Sequence, residues 1–415
     1  MIFERRTLNE CLQSVIDRRG VTPKKLGADW TSEGYRVFSA NNVKSSGLQN
    51  LDEIRYVDEE TYHKWMKNEI QREDILLTSE APAGEVWLWN SNEKIVVGQR
   101  LYALRTKADV NPWYLAFYLQ SKKGQMEILN KCSGSTVFGI SAAMFDLIEV
   151  LLPDKDTQDK IANILKHLVE KINYNVQSIS VLRGIVNTLF SYWFIQFDFP
   201  DENGKPYKSS GGKMIWSDEI KRELPATWQV RRLHDIAEYV TEKISNEKLD
   251  ENTYVGNDNM LNEMGGKKYS EYVPDKGVST KYKAGDVLVG NIRPYFHKIW
   301  RASCTGGCSP DVLCLRALEG IPSEFLFAVL ARKSFFDYDT AGTKGSKMPR
   351  GDKTHIMNYP VVFNKDIAEK FANTVGSILP MVEVLQSENQ ELSSLRDFLI
   401  PLLMNGQVTF KEKEA

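Results

Sequence analysis

Residues 158–194 read QDKIANILKHLVEKINYNVQSISVLRGIVNTLFSYWF. Within them Ile161, Leu165, Leu168, Ile172, Ile179, Leu182, Val186, Leu189 and Trp193 recur at steps of four and three, the spacing of a coiled-coil seam. The member that breaks the apolar series is Asn175. A lone asparagine in such a seam fixes register and partner at a cost in stability. At 1.5 Å per residue the stretch predicts a helix roughly 55 Å long. A second stretch of this kind runs from about Asp366 to Met404. Its seam is Ile367, Phe371, Ile378, Met381, Leu385, Leu392, Leu395, Leu399 and Leu402, interrupted by Thr374 and Glu388 with Asn389 beside it. Pro380 inside this pattern predicts a kink or a division of the helix. The simplest way to bury both stripes is to pack the helices against each other, antiparallel, with a globular head at each end. Asn175 is then expected to meet Asn389. The competing arrangement folds each helix onto its own head.

The rest of the chain is written twice. Arg72-Glu73-Asp74-Ile75-Leu76-Leu77 returns about 210 residues later as Ala284-Gly285-Asp286-Val287-Leu288-Val289. Gly98 to Arg105 returns as Ser309 to Arg316, each ending in an arginine. Short helical patterns follow from Pro112 and from Ser323, each with a proline or serine start signal. Small-residue loops come next, Gly134-Ser135-Thr136 and Gly342-Thr343-Lys344-Gly345-Ser346, and then a long helix in each half. Between the halves, Asp198 to Pro206 is turn-rich and Ser209-Ser210-Gly211-Gly212 reads as a flexible connection. The expected plan is α+β: a first mixed α/β head over 1–154, a long helix over 155–199, a linker over 200–227, a similar second head over 228–363, a second long helix over 364–407 and a tail over 408–415.

The 415 residues, 42% hydrophobic and 26% charged, suffice for two ordinary cores. No stretch reads as a membrane span or a signal peptide; the run Phe145 to Leu152 is short and broken by Asp146 and Glu149. Five cysteines without a regular framework point to a reduced, cytoplasmic protein. A net charge of −2 argues against non-specific coating of nucleic acid, while leaving room for local basic patches.

Leu189-Phe190-Ser191-Tyr192-Trp193-Phe194-Ile195-Gln196-Phe197-Asp198-Phe199-Pro200 resembles the central conserved region of type I restriction–modification specificity subunits. Leu395-Arg396-Asp397-Phe398-Leu399-Ile400-Pro401-Leu402-Leu403-Met404-Asn405-Gly406 resembles their distal conserved region, and the duplicated layout matches their plan. The resemblance implies two target-recognition domains, each reading one half of a split, asymmetric double-stranded DNA target. It also implies helices that recruit two methyltransferase subunits, and a restriction subunit that translocates and cleaves. S-adenosylmethionine, ATP and Mg²⁺ are then expected on those partners, with no cofactor or metal in this chain. Major-groove faces recur about every 34 Å along B-DNA, so a rigid helical spacer of comparable length can hold two readers on one side of a duplex.

The recognition domains vary most within the family, so contacts are sought from chemistry alone. The basic Gly-rich loop 342–353 offers Lys344, Ser346, Lys347, Arg350 and Lys353 for phosphates and guanine edges. The turn Gly290 to Tyr295 offers Arg293 and Tyr295, and Lys267-Lys268 reads as a phosphate clamp. Their first-half counterparts are Ser79, Lys131, Ser135 and Thr136. The partner-facing seam is taken as Leu165, Leu168, Ile172, Asn175, Ile179, Leu182, Leu189 and Trp193 with Leu385, Asn389, Leu392, Leu395 and Leu399.

Catalytic readings fare worse. Asp201, Glu219 and Lys221 fit a Mg²⁺-nuclease spacing, but Asp201 opens the linker and Glu219 lies in a polar helical stretch rather than on adjoining strands. Cys304, Cys308, Cys314 and His297 lack zinc-knuckle spacing and read as strand thiols. No Walker loop is present, and Asn111-Pro112-Trp113 lacks the second proline of an adenine-methyltransferase motif. The alternatives to a non-catalytic DNA reader are therefore a stand-alone Mg²⁺ nuclease and a pure protein-interaction scaffold.

Overall fold

The computed structural model describes residues 2–134, 138–343, 348–408 and 410. It divides into two compact units, residues 1–171 with 392–415, and residues 172–391.

Each unit repeats one plan. In the first, Glu4–Thr7 pairs antiparallel with Glu149–Leu152; in the second, Gln229–Arg232 pairs with Pro360–Phe363. A four-stranded sheet comes next, in the spatial order Leu12–Asp17, Leu101–Thr106, Ile75–Thr78, Val86–Leu88. Its counterpart is Ala237–Tyr239, Val312–Ala317, Val287–Gly290, Ile299–Arg301. Both second strands from the right, Ile75–Thr78 and Val287–Gly290, are buried at all four residues, which is why they read as unbroken apolar runs rather than alternating ones. A further sheet in each unit, three-stranded in the first and four-stranded in the second, contains one parallel pair, Tyr35–Phe38 with Val96–Val97 and Tyr254–Val255 with Gly306–Cys308. Helices Pro112–Gln120 and Lys122–Asn130 correspond to Ser323–Leu330 and Lys333–Ala341. Asn111 caps the first of these through the Trp113 and Tyr114 amides, at 2.9 and 3.1 Å.

The repeated aspartate and arginine find each other. Asp74 accepts two hydrogen bonds from Arg105, at 2.9 Å from Nε and 2.7 Å from Nη2, and Asp286 accepts two from Arg316, both at 2.8 Å. Each carboxylate also takes the amide three residues before it, Gln71 at 2.8 Å and Lys283 at 2.9 Å. The tight turn between puts Glu73 and Gly285 at positive φ, 72° and 91°.

The helix Lys155–Phe190 continues as a π-turn, Ser191–Ile195. Its first turns lie in the first unit, where Ile161 and Leu165 share a core with Ile400, Leu403 and Met404. Its later turns lie in the second unit, where Val186 and Phe190 share a core with Phe371, Val375 and Leu379. Early residues of one helix thus meet late residues of the other, and the two run antiparallel. The second helix is divided in two, Lys365–Val375 and Ile378–Met404. The break falls at Gly376 and Ser377, and Pro380 sits in the first turn of the second piece, where its missing N–H is not needed.

Three expectations need correction. Asn175 does not pair with Asn389: its amide donates to Glu388 Oε2 at 2.7 Å, and the buried Asn389 Oδ1 takes no hydrogen bond from the described residues. Met381 and Leu395 are 52% and 45% exposed, not in the seam; Leu379, Val382, Ile400 and Leu403 are the buried positions. Residues 200–227 are not a bare linker. Phe199 stacks on Tyr207 and Trp228, at 4.7 and 5.0 Å between centroids, and Met214–Ser217 pairs with Arg222–Pro225 as a hairpin whose Leu224 enters the second unit's core. The aromatic run from Phe190 to Phe199 supplies core to this unit rather than merely ending a helix.

Candidate nucleic-acid interface

In both units the chain leaves the fully buried strand in a turn, and that turn lies against the loop that follows the second short helix. In the first unit Ser79 receives the Ile140 amide on its carbonyl at 2.8 Å, and Glu80 bridges to Gly139. In the second unit the equivalent residues are Asn291 and Gly351. A Cβ on Gly351 would come within 2.3 Å of Asp339 Oδ1 and 2.7 Å of Asn291 Oδ1, so only glycine lets the loop approach this closely. The turn backbones match as well: the Ser79 amide donates to the Arg100 carbonyl and the Asn291 amide to the Asp311 carbonyl, both at 2.9 Å. Each rim carries an ion pair, Arg100 with Glu80 at 2.9 Å and Arg350 with Asp311 at 3.2 Å.

The structure therefore brings together two segments far apart in the chain, the Gly290–Tyr295 turn and the stretch around Gly351. Lys344, Ser346 and Lys347, like Ser135 and Thr136, lie outside the described residues. Arg350 is exposed and paired with Asp311. Lys353 opens the short helix Lys353–Met357, capped by Asp352, with its ammonium 5.6 Å from the Tyr239 ring. Arg293 donates to the Tyr295 hydroxyl at 2.8 Å, and the Tyr295 ring is exposed. Lys131 caps its helix and is half-buried. Ser79 is buried, and its hydroxyl has no partner among the described residues. Lys268 is held by Glu271 at 2.5 Å. Lys267 is not the free clamp expected. Its ammonium donates to the Asn252 carbonyl at 2.7 Å and lies 5.3 Å from the Trp300 ring, and burial depresses its pKa.

The nuclease set does not assemble. Asp201 closes its own turn by accepting from the Asn203 and Lys205 amides, each at 2.8 Å. Glu219 sits in the turn of the 214–225 hairpin, not in a helix, and pairs with Arg232 at 2.7 Å, while Lys221 faces Asp218. Cys308 and Cys314 are buried in strands, and His297 pairs with Glu263 at 3.0 Å.

Two groups of residues escaped the sequence reading. Beneath the second unit's loop, Asp339 Oδ1 and Oδ2, Asn291 Oδ1 and Asn257 Oδ1 are buried acceptors that take no hydrogen bond from the described residues. Burial raises the Asp339 pKa to about 7, with only His355 opposing. In the first unit the apolar Ile128 stands where Asp339 does, while Ser79, whose buried hydroxyl likewise has no partner among the described residues, stands where Asn291 does. The second group is an exposed apolar stripe on the long helices: Tyr174, Val181, Ile185, Tyr192 and Ile195 on one, Met381, Val384, Leu395 and Phe398 on the other. Their signal in the sequence is a surplus of apolar residues beyond what one seam uses.

Two like units, each setting a turn against a loop, define a duplicated binding module. Comparison with known proteins says which one. Residues 3–183 match the family described as the type I restriction modification DNA specificity domain. The specificity subunit of the type I restriction enzyme MjaIX of Methanocaldococcus jannaschii is 24% identical over 365 residues, 81% of this chain and 78% of that protein. The HindI specificity subunit of Haemophilus influenzae is 22% identical over 413 residues, 82% of this chain and 88% of that one. A crystal structure of a type I restriction–modification S subunit from M. genitalium covers 97% of this chain and 96% of its own with a TM-score of 0.60, at 15% identity, and so shares the fold. Over most of its length the chain is similar to the type I restriction–modification specificity subunits, a family whose function is the recognition of DNA sequence. Members are in general non-catalytic and work in complexes with DNA and the other subunits of their systems. Among the described residues no helix is long and apolar enough to cross a membrane.

Proposed function

We propose that this subunit reads a split double-stranded DNA target, one half with each head, and carries two methyltransferase subunits and the restriction–translocation subunits to it. In this reading S-adenosylmethionine, ATP and Mg²⁺ belong to those partners. The observation that carries it is the recurrence of one arrangement in both units: a turn after the buried strand set against the loop after the second short helix, Ser79 with Ile140 and Asn291 with Gly351. In the second head Arg293, Tyr295, Arg350 and Lys353 furnish donors for phosphate and base edges, and exposed apolar residues along both long helices offer a docking stripe.

The test is co-expression with the methyltransferase subunit, followed by mapping of methylated adenines across a genome. The expected target is two defined blocks separated by unspecified bases. Combined Arg293→Ala and Tyr295→Ala substitution should relax one block and spare the other. A single uninterrupted target, or loss of both blocks together, would overturn the assignment of one half-site to each head.

A further inference from the structure

The first unit holds a cavity of about 300 Å³ that the reading above does not use. That size lies at the lower end of small-ligand pockets, roughly 300–1,000 Å³, and suits one or two fused rings. Trp30 and Trp65 form two of its walls, with ring centroids 6.3 Å apart and planes at 50°. Trp65 is buried, and its indole nitrogen has no hydrogen-bond partner among the described residues. Trp30 is 39% exposed, with the Arg55 guanidinium 5.1 Å from its ring. The remaining rim includes Asn41 and Gln99, whose exposed side-chain amides make no hydrogen bond among the described residues. Val37 and Ile54 close the apolar side.

A ring wall that can stack, a cation beside it and amides that both donate and accept suit a planar nitrogen heterocycle with a polar edge. The position adds to the chemistry. Gln99 directly precedes Arg100, whose carbonyl receives the Ser79 amide and whose guanidinium pairs with Glu80. The cavity rim is thus one residue from the first head's turn. In the second unit Pro310 stands where Gln99 does and has no amide to offer.

We propose that this cavity receives a single nucleobase, stacked on Trp30 with its edge met by Asn41 and Gln99. The base is presented either by a duplex from which it has swung out or as a free nucleoside. Lifting a base from the stack is least costly at a mismatch. The duplex form rests on the DNA-reading role; the nucleoside form does not.

Two arms separate the sources, both with the full-length chain and with Trp30→Leu and Gln99→Ala, exposed positions whose folding is checked by circular dichroism. In one, equilibrium dialysis measures saturable binding of each of the four deoxynucleosides. In the other, duplexes bearing the mapped target are compared with copies mismatched at single positions of the first half-site. A displaced base predicts about tenfold tighter binding of one mismatched duplex, a gain that both substitutions abolish while matched-duplex affinity is kept. A free nucleoside predicts saturable dialysis binding that both substitutions abolish, with no mismatch gain. Absence of both effects, or effects that survive both substitutions, would overturn the proposal. Failure of every duplex to bind would instead strike the DNA-reading role, with dialysis still deciding the cavity.

Discussion

The least replaceable side chains of the two heads are Asp74 and Asp286. Each is buried, and each is gripped by two donors of an arginine some thirty residues later in the chain, Arg105 or Arg316, and by a backbone amide. Removing the arginine leaves the carboxylate buried without its two side-chain donors. Arg105→Ala should therefore cost about 3–5 kcal/mol, read by denaturant unfolding, whereas breaking the exposed Lys64–Glu60 pair should cost under about 1 kcal/mol. Asp339 is the opposite case, a buried carboxyl with no donor among the described residues. Its folded pKa of about 7 lies above its ordinary 3.8 because of desolvation, opposed by His355 and with the Tyr239 hydroxyl also nearby. The folded state holds this proton more tightly than the unfolded chain. Stability is thus present at low pH, falls as pH rises from about 4 to about 7, and levels off above. Roughly three pK units correspond to about 4 kcal/mol. Asp339→Asn should remove that loss: thermal melts should show the variant more stable than wild type at pH 8 and indistinguishable from it near pH 4.

Among the elements, the long helices each do two jobs with two stripes. The buried stripe carries Asn175 opposite Glu388, joined at 2.7 Å. Replacing Asn175 by leucine strips the carboxylate of that donor and should lower the melting temperature by several degrees, for a loss of about 1–3 kcal/mol. The exposed stripe contributes nothing to the isolated chain's core. Val181→Asp with Ile185→Asp should leave the melting temperature within about a degree or two and abolish co-purification with the methyltransferase subunit. Retained co-purification would assign the docking surface elsewhere. The doubled use of helix surface also explains how the second helix was misread. On the first helix the four-and-three series picks one face. On the second, Met381, Val384, Leu395 and Phe398 form an apolar series of their own, and periodicity alone cannot rank two apolar faces.

For the whole molecule, the proposed reading makes a change in one head a change in one half of the target. Both long helices pass from one unit into the other. Inserting about four residues, roughly one turn, into both should alter the number of unspecified bases between the half-sites and leave both half-sites unchanged. Methylation mapping reads this directly; a change in either half-site would show that the helices take part in base reading.

The repeat, the helical spacing around Asn175 and the apolar strands 75–78 and 287–290 could be read from the chain alone, because periodicity and order are local properties of a sequence. They were enough for the fold class and for the family. Tertiary structure alone decided where each polar side chain spends its hydrogen bonds. It handed Asn175 to Glu388 rather than Asn389, tied Lys267 to a backbone carbonyl, turned residues 200–227 into part of a core and set Asn291 beside Asp339 under Gly351. Such pairings join residues tens to hundreds of positions apart, and burial sets their strength. Neither separation in space nor exclusion of water is written in the order of residues.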